Sequence, residues 1–422
     1  MSCRACSLGF TFWAAFALAL SAPTPAAEPD AALQANVKRL MEQLADKDPA
    51  RQTAAEAALL KLGPDILPLL PESSPNKRLK TIRRTLRDAR IRQGLAPQTF
   101  TLQDRAMPLS KTLKALAGQT AVPVADRRQN KEVDPKLRLN LNRVTFWQGL
   151  DAIAREADLR VDLYQPDGTI ALVDGPHREL PVSYHGLFRV VVKGVELVRD
   201  FETEAHLCRA RLEIAWEPRF QPLFLQARPE ALEIKDDRGI ALKSTAGASG
   251  RTSVGRGHVV ETQVLMEAPP RAVKAIGLLR GTIGMVGPSS TLTFTFDKLA
   301  GKERQSKDGV TVTLREFDTQ PERWTVRFLL QYPPDDPDFD SFESWLVTSQ
   351  IHLVKKGTRK GFGPGSYESD TRPGHRATFT YDFVEENGLV LGKPADWKLV
   401  YQLPGPIIEL PVKFEFKDLP LP

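Results

Sequence analysis

The stretch Leu137–Asp174, LRLNLNRVTFWQGLDAIAREADLRVDLYQPDGTIALVD, switches its apolar spacing twice, and those switches decide the fold class. Leu137, Leu139 and Leu141 recur every second residue, the period of a strand with one buried face. Thr145 and Gln148 then stand at capping-box spacing, where each side chain satisfies an amide that the first helical turn leaves orphaned. Phe146, Leu150 and Ile153 follow as one helical stripe. Leu159, Val161 and Leu163 return to period two, and Pro166-Asp167-Gly168 turns the chain into Ile170–Val173. Strand, helix and hairpin thus share one short passage, which points to an α+β domain.

Just upstream the same order begins. Phe100 and Leu102 share one side of a strand. Leu109, Leu113 and Leu116 mark a helix that Gly118 stops, and Val122 and Val124 alternate. The two strand-helix units over 99–174 are expected to form one sheet with both helices on one face. With FTLQDRAMPLSKTLKALAGQTAVPV as its first half, the segment resembles the short N-terminal (STN) domain of secretins and TonB-dependent receptors. The resemblance implies a small interaction surface in the bacterial periplasm and carries no catalytic residues. Neither a secretin ring nor a plug and barrel is expected downstream, so channel and transport roles do not follow.

Residues 31–95 read as helical. Leu33, Val37, Leu40 and Leu44 form a stripe, Asp48-Pro49 restarts the chain as cap and first helical residue, and Gly63-Pro64 stops it. LADKDPARQTAAEAALLKLGPDILPLL resembles one unit of a HEAT-type repeat. A lone helix pair cannot bury its own face, so docking on the next domain is expected. The basic residues from Lys77 to Arg92 fit either a binding stripe or a solvated helix face, and the solvated face is the expected reading.

From Leu187 onward β alternation replaces helical spacing, with Pro, Gly and Asp between the runs. Cys208, Ala210, Leu212, Ile214 and Trp216 match Trp324, Val326, Phe328, Leu330 and Tyr332. Leu292, Phe294, Phe296 and Leu299 match Val412, Phe414, Phe416 and Leu419. Two copies of an immunoglobulin-like sandwich are therefore expected over 187–299 and 309–419. The fold class expected for the whole chain is multidomain α+β: N-terminal helices, a small βαβ-βαββ domain, then two immunoglobulin-like β-sandwiches.

The 422 residues exceed one ordinary domain, and 41% hydrophobic with 26% charged residues describes a globular chain. Arg4 and the apolar run Leu8–Leu20 read as a signal peptide over 1–27, with Ala22, Ala26 and Ala27 as cleavage positions. The run is short for a bilayer span, so no membrane span is expected in the mature chain. Periplasmic or secreted localisation follows from that reading. Cleavage removes Cys3 and Cys6, leaving Cys208 as a core thiol. The net charge of +6 allows weak attraction to an acidic surface. No basic face interleaved with aromatics stands out, so a nucleic-acid partner is not expected.

Chemistry is sparse. The six histidines include no His-x-x-x-His pair, and neither a Gly-x-Ser-x-Gly elbow nor a phosphate-cradling loop occurs. The GFGPGS stretch, Gly361–Ser366, reads as a flexible loop. Asp335, Asp336, Asp338 and Asp340 form an acidic run with calcium-binding donors, but Pro337 interrupts it and the turn glycine is missing, so a solvated loop is expected. No catalytic residue or cofactor is expected. The expected function is an exported, non-enzymatic envelope protein that binds or scaffolds an unidentified envelope protein. The alternative is a glycan- or calcium-binding sandwich, with Phe342, Trp345 and Tyr367 as platform aromatics, and a hydrolase ranks last.

Overall fold

The computed structural model describes residues 31–422, apart from 72–73, 203, 228–230, 246–249, 256, 300, 333–348, 359, 373–374 and 386–388. Strand accounts for 46% and helix for 22%, in several separate sheets, so the chain is a mostly β, multidomain α+β protein. The expected signal peptide lies outside the described residues.

Three helices open the described chain: α1 (Ala31–Leu44), α2 (Pro49–Leu62) and α3 (Lys77–Gly94), with a 3-10 turn at Pro64–Leu69. Asp48 caps α2 by accepting from the Ala50 amide at 2.9 Å, and Gly63 ends it at a positive φ of 82°. Asn76 caps α3 by accepting from Arg78 N (2.9 Å) and Leu79 N (3.3 Å). Val37, Leu40, Leu59, Ile66, Ile82 and Leu86 meet in one buried cluster drawn entirely from this segment. The expected dependence on a neighbour is corrected here, because the third helix and the 3-10 turn cover the face that a helix pair would expose. The segment still touches the β region at its end. Arg219 donates to Gly94 O (3.1 Å) and Ala96 O (2.7 Å) and pairs with the buried Glu217 carboxylate at 2.7 Å.

The next elements are β1 (Thr99–Pro108), α4 (Leu109–Thr120), β2 (Ala125–Asp126), β3 (Lys136–Thr145), α5 (Phe146–Glu156), β4 (Arg160–Asp162) and β5 (Ala171–Val173). The order is βαβ-βαββ, and the Thr145–Gln148 capping box is formed at the start of α5. The expected single sheet is corrected: β1 pairs with β3 in one sheet, and β2-β5-β4 forms another. Phe100, Leu113, Leu116, Leu139, Leu150 and Ile153 share one core with residues of both sheets.

Eighteen further strands are found among the described residues. They are β6 (Val182–His185), β7 (Phe188–Arg199), β8 (His206–Trp216), β9 (Phe224–Gln226), β10 (Leu232–Asp236), β11 (Arg251–Ser253), β12 (Val259–Glu267), β13 (Ala275–Pro288), β14 (Thr291–Phe296), β15 (Arg304–Lys307), β16 (Val310–Gln320), β17 (Arg323–Gln331), β18 (Gln350–Lys355), β19 (Gly361–Phe362), β20 (Ser366–Arg372), β21 (Arg376–Val384), β22 (Trp397–Pro404) and β23 (Ile407–Pro420). In the first β unit the sheet β12-β8-β7-β6 shares a core with the sheet β10-β13-β9-β11, to which β23 adds along β13. In the second unit β14-β22-β18-β19 shares a core with β15-β16-β17-β21-β20.

This pairing moves the expected boundaries of 187–299 and 309–419. Thr291–Phe296 belongs to the second unit, and Ile407–Pro420 returns to the first. The second unit is an insertion between the paired strands β13 and β23. The β13–β23 ladder runs from Ala275↔Pro420 to Pro288↔Ile407, and β14–β22 resumes at Thr291↔Pro404 in the same register. Between them Ser289 N donates to Pro406 O and Gly405 N to Ser290 O, each at 2.7 Å. Residues 275–296 and 399–420 therefore form one continuous antiparallel ribbon through both units. Leu279, Ile283 and Met285 face the first core, whereas Leu292, Phe294 and Phe296 face the second. Strand side chains alternate faces, so the change from odd to even positions puts the two cores on opposite faces of the ribbon. The expected duplication is corrected by the same observation. Cys208–Trp216 and Trp324–Tyr332 do run along interior strands of their own units, but Phe294 and Phe414 sit in unlike strands of different units.

Polar contacts lock the α/β domain to the first β unit. Arg189 Nε pairs with Asp151 at 2.8 Å and its Nη1 with Glu213 at 3.4 Å, while Tyr184 OH donates to Asp151 at 2.6 Å. Lys193 pairs with Glu213 at 3.1 Å, and Tyr164 OH lies 3.1 Å from Glu213 and 2.9 Å from Glu261. Trp147 Nε1, fully buried, donates to Leu187 O at 2.9 Å. Burial works against the Arg189 charge, but Asp151 and Glu213 outweigh it and hold the guanidinium firmly protonated. Burial first, then the neighbouring carboxylates, push the Tyr164 and Tyr184 hydroxyls above their usual range.

Candidate binding cleft

Leu79, Ile82 and Leu86 fix the inner side of α3. The remaining positions of a basic sequence must then turn outward: Lys77, Lys80, Arg84 and Arg90 are all exposed. These side chains form one wall of a cleft of about 1360 Å³. The other wall belongs to the second β unit and the ribbon crossing: Ser289 and Ser290, Arg304 of β15, Asp308 in the following turn, and Gln331 at the end of β17. Leu67, Pro68 and Ile91 contribute apolar surface. Arg83 Nη1 donates to Leu70 O at 2.6 Å and ties the 3-10 turn to α3 on the cleft side.

The charge balance is one-sided. The lining holds the basic residues of α3 and Arg304 against a single carboxylate among the described residues, Asp308. Lys77, Arg84, Arg90 and Arg304 make no ion pair with the described residues, whereas Arg78, one step round the helix, pairs with Glu56 at 2.7 Å. Unpaired cations facing one another across a concavity raise the local anion concentration.

The other candidate positions place as follows. Asp335, Asp336, Asp338 and Asp340 lie outside the described residues, as do Phe342 and Trp345. Tyr367 is exposed on β20. Among the described residues no group of three or more His, Cys, Asp or Glu side chains has metal-holding geometry. Burial, joined at His185 by the Lys413 charge, lowers the basicity of His185, His258 and His352. Cys208 is buried, and burial pushes its thiol up to about 11, far from a nucleophilic thiolate. The expected flexible GFGPGS loop is partly ordered: Gly361–Phe362 pairs with β18, and Ser366 opens β20. A smaller groove of about 590 Å³ runs past His185, Glu233, Arg280 and Glu415, but Arg280 is already paired with Glu233 and lies 3.6 Å from Glu415.

The solvated-face reading of Lys77–Arg92 described the exposure but not the enclosure. Ser289, Ser290, Arg304 and Gln331 carried no sequence signal, since they join the site only through pairing of distant strands. Comparison with family models, with curated proteins and with solved structures found no match.

Proposed function

We propose that this chain is an exported, non-enzymatic envelope protein that holds another protein, and that the basic cleft is where it does so. The observation carrying this reading is that Lys77, Arg84, Arg90 and Arg304, which make no ion pair with the described residues, line an open cleft from both of its walls. Sites that serve only the fold, such as the Asp151–Arg189–Glu213 cluster, pair their charges. The signal-like N-terminus supports export. The βαβ-βαββ order supports an STN-like domain at 99–174, and the two-sheet units support a reading as immunoglobulin-like sandwiches, one inserted in the other. In this reading the small domain and the first β unit form a platform, and the cleft captures the partner.

The test is site-specific photo-crosslinking in the native host. A photo-reactive residue at Thr81, which lines the cleft, is expected to capture a discrete protein. The same residue at Thr319, exposed at the far end of β16, is expected to capture none. Equal capture from both positions, or none from Thr81, overturns the proposal.

A further inference from the structure

The geometry points to an extended acidic polypeptide segment, with apolar residues among its carboxylates, as the ligand of the basic cleft. The inference rests on the docking reading above and names the chemistry of what docks.

Four observations carry it. The first is length. From Lys77 to Arg90 the helix rises about 20 Å at 1.5 Å per residue, which matches about six residues of extended chain. A cleft of about 1360 Å³ also exceeds the ordinary range for a small-molecule pocket, roughly 300–1,000 Å³. The second is spread. Lys77, Arg84 and Arg90 lie seven and six residues apart, about 10 Å and 9 Å along the axis, so the cations without an ion pair among the described residues run the length of the cleft and call for an extended ligand with more than one carboxylate.

The third is the far wall. Ser289, Ser290 and Gln331 offer both donors and acceptors, and Asp308 places a carboxylate among them. A peptide backbone brings N–H groups that a carboxylate accepts, whereas a polymer of phosphates brings only negative charge to meet it. The fourth is the apolar surface of Leu67, Pro68 and Ile91, which a purely ionic polymer would leave uncovered. Single-stranded nucleic acid is disfavoured because the one aromatic of the lining among the described residues, Tyr332, is 4% exposed and provides no stacking platform. A flat membrane surface cannot enter between two walls.

Fluorescence anisotropy on the full chain tests the assignment, with a labelled peptide of alternating glutamate and leucine as probe. Binding is expected to weaken steeply with salt. It is expected to fall at least about tenfold in Arg84→Glu/Arg90→Glu, since each reversal replaces an attraction by a repulsion. Arg304→Glu, on the opposite wall and in a different unit, is expected to weaken it as well, so that a local fault in α3 cannot mimic the result. A glutamate–serine peptide is expected to bind several-fold more weakly, through loss of apolar contact. Unchanged affinity in both charge variants overturns the inference. So does tighter binding of inorganic polyphosphate, or of phosphatidylglycerol vesicles, than of the glutamate–leucine peptide. If the peptide fails while crosslinking from Thr81 still captures a protein, the ligand chemistry is wrong and the docking site stands. If both fail, the docking reading falls with it.

Discussion

Two junctions in this molecule use charge in opposite ways. Where the α/β domain meets the first β unit, Arg189, Asp151 and Glu213 keep only 13%, 7% and 6% of their side-chain surface, and every cation there faces a carboxylate. Where α3 faces the second β unit, Lys77, Arg84, Arg90 and Arg304 stay exposed and without an ion pair among the described residues. Desolvated and paired charges hold two bodies in one arrangement, because separating them leaves bare charge in a low-dielectric site. Wet, unpaired charges hold nothing together, but they retain their attraction for something that arrives later. The first junction belongs to the fold, and the second is the one proposed above to receive a partner.

The largest expected effect tests the first half of that contrast. Arg189→Met leaves the buried Asp151 without a cation and Glu213 with Lys193 alone, and is expected to cost about 3–5 kcal/mol in urea unfolding. A loss below about 1 kcal/mol would mean that the junction is not the lock described above.

The ribbon crossing comes next. A Cβ at Gly287 would lie 2.8 Å from both Gln221 O and Pro222 Cα, backbone atoms that cannot swing away. Gly287→Ala is therefore expected to destabilise by about 1–3 kcal/mol, the range for an overpacked site. Native-like stability in that variant would show that the ribbon has room to shift and that the two β units are less firmly joined than its register implies.

A smaller change follows from pH. Burial lowers the folded-state pKa of His185, His258 and His352 below the ordinary histidine value of 6.5. The unfolded chain therefore binds more protons in acid. Stability from these groups is full above about pH 6.5 and is lost as pH falls through the lowered folded values. A second loss follows at lower pH, as Asp126 and Asp382 are protonated. Side-chain hydrogen bonds from Arg128 at Asp126, and from Thr325 and Arg323 against burial at Asp382, hold these carboxyls below their usual range. The melting temperature is expected to drop between pH 7.5 and pH 5.5 and again below about pH 4. A flat profile from pH 7.5 to 5.5 would contradict the histidine contribution.

The sequence made the local devices legible and hid the distant ones. Asp48 and the Thr145–Gln148 box act on amides two or three residues away, so their patterns can be read directly. The ribbon could not be read, because alternation tells which face a residue takes and not which strand lies beside it. Leu292–Phe296 and Val412–Phe416 looked like matching strands of two copies. They are opposite strands of one ribbon, similar because each must supply an apolar side chain at every second position to a sandwiched core. The cleft was half legible. The cations of α3 stand together in sequence, whereas Arg304 and Gln331 reach them only across the fold.

The smallest expected effect is the most informative about the cleft. Arg84 has Lys80 four residues before it and Arg87 three residues after it, neighbours on the helix surface at repelling distance, with Asp88 the one opposing charge four residues on. Like pairs at this spacing each cost about 0.2–0.5 kcal/mol in an isolated helix. Replacing Arg84 by an uncharged side chain of good helix propensity therefore removes two repulsions and one attraction, and touches no buried contact. Arg84→Gln is expected to leave stability unchanged or raise it by no more than about 0.5 kcal/mol, while weakening capture of an acidic segment. A residue whose loss leaves the fold intact and harms binding is one kept at some cost to the fold. Should Arg84→Gln instead destabilise by more than about 1 kcal/mol, the arginine would be structural, and the contrast between the two junctions would no longer hold.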